Sequence, residues 1–221
     1  MPVFRLYRYF PARYGVAAIE NRELRVGRLA ELNDPFEFMP GISHIAPNAP
    51  RNILDQALNF LVEHWKDSMG IISFASQIKD PVIWSHYAES HRGIALAFDF
   101  EKDDFLWEMD YPEMRPVIEL GVFDNLEKKE QLHLIKRILS AKAPSWKYEG
   151  EYRVFVELEA CRASGGNYFR PIPDGILKEV ILGIRCEVSE NYIEHTLKAS
   201  NLNGVKVKRA QRSAERFEVN Y

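Results

Sequence analysis

Glu149 and Glu151 are separated by a single glycine in the run Trp-Lys-Tyr-Glu-Gly-Glu-Tyr-Arg-Val-Phe, residues 146–155. The first glutamate reads as carried by a loop and the second by the head of a strand, so two carboxylates stand at one strand mouth. The same pair can equally be a polar strand entrance with a local ion pair to Arg153, because most acidic residues are surface residues. Trp146, Tyr148 and Tyr152 flank the glutamates, either as a wall for a flat ligand ring or as ordinary packing.

Other side chains with chemical potential are scattered along the chain. Arg8 falls on the same strand face as Phe4, Leu6 and Phe10. A guanidinium in an apolar row wants a carboxylate or phosphate, unless it reaches solvent at the strand end. Asn33-Asp34-Pro35 is a turn opener, and Asp34 can cap a short helix that starts at Pro35. Asn33 is the ligand candidate within it. His86 and His91 are five residues apart, which does not place them on one helix face. Together with Asp34, Glu37 and the glutamate pair they are of the right types for a divalent metal. No spacing among them is a ligand motif, so no metal residue is assigned. His64 lies beside an apolar stripe and reads as a packed or solvated histidine.

The elements that must position these groups follow from periodicity. Val3–Phe10, Gly70–Phe74, Ile94–Phe100 and Tyr152–Leu158 read as strands of one sheet system. Tyr14–Leu32 reads as a short helix and then an extended piece. Met39–Pro50 is a proline-bearing connection, and Arg51–Lys66 has a helical apolar stripe through Ile53, Ala57, Leu61 and Trp65. Asp80 and Pro81 start a helix as cap and first residue, with Trp84 and Tyr87 on its apolar side and His86 pointing elsewhere. Leu126–Ala141 reads as a helix with Leu132, Ile135, Ile138 and Leu139 inward. Pro144 argues that this helix has ended, leaving a loop that carries Glu149 into the strand. Further on come a Gly165-Gly166 turn, a strand at Ile176–Ile184, a helix at Ser189–Ser200 and closing strands at Val205–Arg209 and Phe217–Tyr221. Arg115–Leu120 is a short strand candidate. The expected fold class is α+β, a single domain over residues 1–221 whose mostly antiparallel sheet, whole or split, is flanked by helices.

Composition bounds the rest. The chain has 221 residues, 46% of them hydrophobic and 28% charged, which argues against extended disorder. The formal net charge of −3 gives no global pull toward nucleic acid. Two cysteines, Cys161 and Cys186, make neither a disulfide framework nor a zinc pair. No stretch approaches the roughly 20 apolar residues of a membrane span, and no signal-like run opens the chain. A cytoplasmic protein with no membrane partner is expected.

Four segments resemble a large uncharacterised bacterial family, a domain of unknown function. They are Leu6-Tyr7-Arg8-Tyr9, Leu32-Asn33-Asp34-Pro35-Phe36-Glu37, Trp84-Ser85-His86-Tyr87-Ala88 with His91 and Gly93, and Trp146 to Arg153. More distantly, the order of parts resembles the ADP-ribosyltransferase fold. That fold carries an arginine or histidine on its first strand, where Arg8 stands. It carries a serine pattern and a tyrosine on a later strand and helix, where Ser73, Ser76 and Tyr87 stand. It ends in a Glu-x-Glu or Gln-x-Glu pair heading a strand, where Glu149 and Glu151 stand. Ser73-Phe74-Ala75-Ser76 departs from the serine-threonine-serine pattern. The resemblance implies NAD as a substrate, with Arg8, Tyr9, Ser73, Ser76, Trp84 and Tyr87 binding it. It implies Glu151 as the catalytic carboxylate and Glu149 as the group that orients the acceptor. Asn33, Asp34, His86, His91 and Arg153 are further site candidates. The acceptor can be protein, nucleic acid or a small molecule. Two alternatives stand beside this reading: a non-enzymatic ligand-sensing or interaction domain, and a metal-dependent hydrolase or nuclease.

Overall fold

The computed structural model describes residues 3–38, 41–42, 67–101, 105–118 and 125–221. The Arg51–Lys66 helix, His64 and most of the Met39–Pro50 connection lie outside these residues. The fold class expected from the sequence is the one observed: helices on a mostly antiparallel sheet.

The chain opens with β1 (Val3–Phe10), α1 (Ala12–Asn21) and β2 (Glu23–Arg28), then a 3-10 turn at Leu29–Glu31 and the short β3 (Gly41–Ile42). The middle of the chain holds β4 (Met69–Ala75), α2 (Pro81–Tyr87), β5 (Ile94–Glu101), β6 (Leu106–Glu108), β7 (Val117–Ile118) and α3 (Lys128–Ser140). A 3-10 helix at Pro144–Glu149 leads into β8 (Glu151–Glu157), followed by β9 (Arg162–Ser164), β10 (Asn167–Pro171) and β11 (Leu177–Leu182). The last elements are α4 (Glu190–Ala199), β12 (Lys206–Arg209), β13 (Gln211–Arg212) and β14 (Val219–Asn220).

The main sheet runs in the order β12-β11-β5-β1-β4-β2-β10-β9, with β8 also on β4 and β6 beside β8. Its pairs are antiparallel except β11 with β12. Strand β8 pairs with β4 from Met69 through Ala75 and so fills one whole edge of it. The other edge is shared. Ala75 pairs with Tyr7 of β1, while Ile71 and Gly70 pair with Gly27 and Arg28 of β2. Between those contacts β1 and β2 diverge, and the sheet is split there. The two strands are joined by α1, so a helix closes the wide end of the notch.

Strand β5 lies deep in the sheet, with Ile94 through Phe98 fully buried. One face packs Leu6, Phe10, Leu96, Phe98 and Val180 against α1 and α4 through Ile19, Ile193 and Leu197. The opposite face packs Tyr7, Ala95, Ala97 and Ile181 against Trp84 of α2 and Val219. Alternation of side chains along each strand produces both layers.

Several local expectations change. Leu132 is 66% exposed, so the buried side of α3 is reduced to Ile138 and Leu139 with Ile135 half-covered. A single amphipathic stripe does not say how far along the helix a partner extends. The stretch before Glu149 is a 3-10 helix begun by Pro144, not a loop. Strands β6, β9 and β10 have no anticipated counterpart, being short and polar or carrying only half a buried pattern. The closing strand shrinks to Val219–Asn220, and Phe217 is exposed.

Candidate functional site

The notch between β1 and β2 opens on a cleft of about 380 Å³ that Arg8, Ser73, Tyr87, Glu149 and Glu151 all line. Residues from the start and the middle of the sequence therefore meet on one wall system. Each arrives by a different local device.

Tyr87 is carried by α2. Asp80 Oδ1 accepts from Val82 N at 2.7 Å, and Pro81 holds the first helical position. Ile83 and Trp84 anchor the helix in the core, with Trp84 Nε1 donating to the Ile78 carbonyl at 2.7 Å. One turn on from Ile83, Tyr87 is left half-buried at the cleft, where its hydroxyl donates to Glu149 Oε1 at 2.5 Å. Burial and that bond raise the tyrosine above its ordinary value, so it stays protonated as the donor. Asn33 is also hydrogen-bonded to Tyr87.

Glu149 ends the 3-10 helix and Glu151 begins β8. Gly150 between them has φ +50°. A Cβ there would also stand 2.2 Å from Ser76 Oγ, which could turn away, so it is the positive φ that favours glycine. The Gly150 carbonyl accepts from Ser76 N at 3.0 Å, which pins the corner to the end of β4.

The two carboxylates converge on a lysine that the sequence reading did not single out. Lys142 Nζ donates to Glu149 Oε2 at 2.6 Å and to Glu151 Oε2 at 2.7 Å. Arg153 forks onto Glu151, Nε to Oε1 at 2.6 Å and Nη2 to Oε2 at 2.9 Å, and its Nη2 lies 2.5 Å from Glu37 Oε2. All five side chains are buried. Burial pushes the Glu151 carboxyl up, but Arg153 and Lys142 pull harder and hold it below the usual carboxylate value. Burial wins at Glu37, which is raised despite Arg153 and Lys142. Burial likewise works against the Lys142 ammonium, and Glu151 and Glu149 outweigh it. With every group ionised, three carboxylates and two cations leave one net negative charge facing the cleft.

The opposite wall is cationic. Among the described residues Arg8 pairs with no carboxylate. Its Nη2 donates to the Arg25 carbonyl across the notch at 2.6 Å, and its Nη1 is buried without a partner among those residues. Burial, and secondarily the Arg25 charge, pull Arg8 down to about 10. Arg25 itself is held by Glu31 and Asn167, both at 2.8 Å. A second cavity of about 530 Å³ lies under α1, with Tyr14, Ala17, Asn21 and Phe169 around it. Arg8, Tyr9 and Arg25 line both cavities and form the partition between them.

The remaining candidates fall outside the cleft or at its rim. Trp84 is fully buried core, and Ser76 packs under Gly150. Trp84 therefore offers a ligand no exposed surface, and Ser76 is not among the residues that line the cleft. Asp34 serves its turn, accepting from Phe36 N at 2.9 Å. His91 lies in the loop that follows α2 and stacks on Trp84. His86 is exposed on the rim, with Nδ1 3.0 Å from the Tyr148 hydroxyl and Trp146 nearby. Trp146 and Tyr148 thus pack on each other and on His86. Among the described residues no group of three or more His, Cys, Asp or Glu side chains is placed to hold a metal. Likewise, no helix is long and apolar enough to cross a membrane.

Lys142 left one faint mark in the sequence: it is a lone charge in an Ala-Lys-Ala-Pro stretch at a helix end. Arg25 left none, because an arginine alternating with Leu24 and Val26 is what any half-exposed strand shows.

Residues 83–154 match the model of a family described as Protein of unknown function (DUF2971). The chain is similar to that family over this stretch. The match runs from α2 into β8 and takes in Tyr87, Lys142, Glu149, Glu151 and Arg153, while Arg8 and Asn33 precede it. No curated protein and no solved structure matches the chain.

Proposed function

We propose that the split-sheet cleft binds NAD and weakens its bond between nicotinamide and ribose, with transfer to an acceptor or to water. The observation that carries this reading is that an arginine with one nitrogen unpartnered among the described residues and a glutamate pair line one cleft. The Arg8 guanidinium suits a pyrophosphate, which it can meet with two parallel donors. Because Arg8, Tyr9 and Arg25 border two cavities, a ligand with two ring-bearing halves can straddle them. The nicotinamide half then lies toward Tyr87 and the glutamates.

As the glycosidic bond breaks, positive charge grows on the ribose. The buried network with its net negative charge favours that state, as carboxylates do in glycosidic chemistry generally. The two glutamates divide the work by their free capacity. Glu151 already accepts three hydrogen bonds from cations and is rigidly placed. Glu149 accepts two, so more of its roughly four lone-pair positions remain for an acceptor's hydroxyl or amine.

The test is nicotinamide release from labelled NAD, with candidate acceptors supplied, for wild type, Glu151→Gln and Arg8→Ala. Glu151→Gln should lower the rate on the order of 10²–10³-fold, the usual loss for one well-placed electrostatic group. Arg8→Ala should raise the NAD requirement more than it lowers turnover. Equal release by wild type and Glu151→Gln refutes the role of that residue. Tight NAD binding without any release supports a second reading, a nucleotide-sensing domain, which the complete ion pairing of Glu151 favours.

A further inference from the structure

We propose that Lys142 is a positioning residue whose ammonium keeps Glu149 and Glu151 both charged and both turned into the cleft. This rests on the reading of the cleft as a glycosidic-bond-breaking site.

The lysine is placed by backbone, not by its side chain alone. It follows α3 directly, and its N–H donates to the Asp110 carbonyl at 2.9 Å while Asp110 N donates to the Ser140 carbonyl at 2.8 Å. The segment after β6 thereby holds the end of α3 against the mouth of β8. From there Nζ reaches both glutamates at hydrogen-bond distance, 2.6 and 2.7 Å.

The groups facing this ammonium come from every neighbouring element. Glu149 comes from the 3-10 helix, and Glu151 and Arg153 come from β8. Glu37, from the turn after Pro35, stands 3.8 Å away. Tyr87 of α2 bonds Glu149, and the Tyr111 hydroxyl accepts from Glu151 N at 2.8 Å. Tyr7, Tyr9, Arg8 and Arg25 line the far side of the same cleft. Arg153 serves Glu151 and Glu37 but has no contact with Glu149. Among the described residues, Lys142 is the cation on Glu149 and the one group shared by the pair.

The consequence is electrostatic. Arg153 still serves Glu151 when Lys142 is removed, but Glu149 then stands beside a second carboxylate with no cation of its own among the described residues, which raises the pair's hold on a proton. Without Lys142 the pair retains a proton to higher pH: the network's net charge stays at one negative, but one of the two carboxylates at the cleft becomes neutral and no longer favours the ribose cation. Lys142 touches neither scissile atom in this scheme and acts through the glutamates.

The experiment follows the glutamate carboxyl carbons by ¹³C NMR across pH in the ligand-free protein, alongside the pH profile of nicotinamide release. In Lys142→Met one carboxyl of the pair should titrate higher by roughly 1–3 pH units. The acid limb of release should move up with it. Lys142→Arg should restore the wild-type titration, and Lys142→Met/Glu149→Gln should cancel the shift because a single carboxylate no longer competes for charge. Glu149→Gln alone keeps the lysine and should move the Glu151 titration down, which tests the sharing even where Lys142→Met does not fold. Unmoved carboxyl titrations in Lys142→Met or Glu149→Gln overturn the proposal. Moved titrations with no nicotinamide release in any protein, wild type included, leave the lysine's role standing and remove the NAD reading.

Discussion

Arg8 is the side chain whose surroundings lack what its chemistry needs. A guanidinium with one buried, unpartnered nitrogen and a second arginine beside it carries an uncompensated desolvation penalty. Under the proposed function an anionic ligand would supply the missing partner. Arg8→Met keeps most of the aliphatic volume and removes the charge. The ligand-free variant should therefore melt no lower than wild type, and up to a few degrees higher if about 1 kcal/mol of penalty is relieved. Pyrophosphate at about 100 times its dissociation constant should stabilise wild type by about 2.7 kcal/mol and the variant by far less. Thermal melts with and without pyrophosphate read both effects, and a wild-type melting temperature indifferent to pyrophosphate would count against the anion site. The buried glutamates are the reverse case. Each is already paired, so the chemistry proposed there depends on how the charges balance and not on a vacancy.

Helix α2 shows how little structure is needed to place a tyrosine at the cleft. Seven residues form no stable helix in isolation. This one persists because Asp80 caps it, Pro81 pre-sets its first turn and Ile83 with Trp84 is buried behind it. Asp80→Ala should cost about 0.5–2 kcal/mol in urea unfolding. Because Tyr87 rides on the same helix, NAD should bind the variant more weakly as well. A melt and a binding curve that both overlay wild type would show that the cap does not govern the helix. The 3-10 helix at Pro144–Glu149 works by a different device. Proline starts it and Gly150 in the left-handed region stops it, so that Glu149 and Glu151 leave the corner toward the same lysine.

For the molecule as a whole, the split in the sheet governs the arrangement. Strands β11, β5 and β1 form a continuous slab whose centre, Ile94–Phe98 of β5 and Val180–Leu182 of β11, is buried on both faces, whereas β2, β10 and β9 continue the sheet beyond the notch. The slab should open only by global unfolding, while β9, exposed along its length, should open locally. Hydrogen exchange should find the amides of Ile94–Phe98 and Val180–Leu182 slowest and those of Arg162–Ser164 among the fastest. Comparable protection across the two regions would mean that the divergent strands are as tightly held as the slab. The cleft lies where the rigid and the divergent parts part company, which is where a ligand can be gripped from both sides.

Local chemistry was readable in the chain before any folding. Val3–Phe10, Ile94–Phe100 and the strand after Gly150 announce themselves by alternation, and the Asp80-Pro81 start of α2 by capping residues. Those signals depend on neighbours in sequence, so sequence suffices for them. The same holds for the glutamate pair and its glycine. Other features needed the tertiary structure. Leu132 matches its helix stripe and is nevertheless exposed, because a periodic pattern does not reveal where the partner surface ends. That Arg8 lacks a carboxylate, that Trp84 is core, and that Lys142 lies between Glu149 and Glu151 are facts about distances between remote segments. A charge's partner is set by which strands share an edge of β4, and that is decided by packing of the whole sheet, not by the residues beside the charge in the chain.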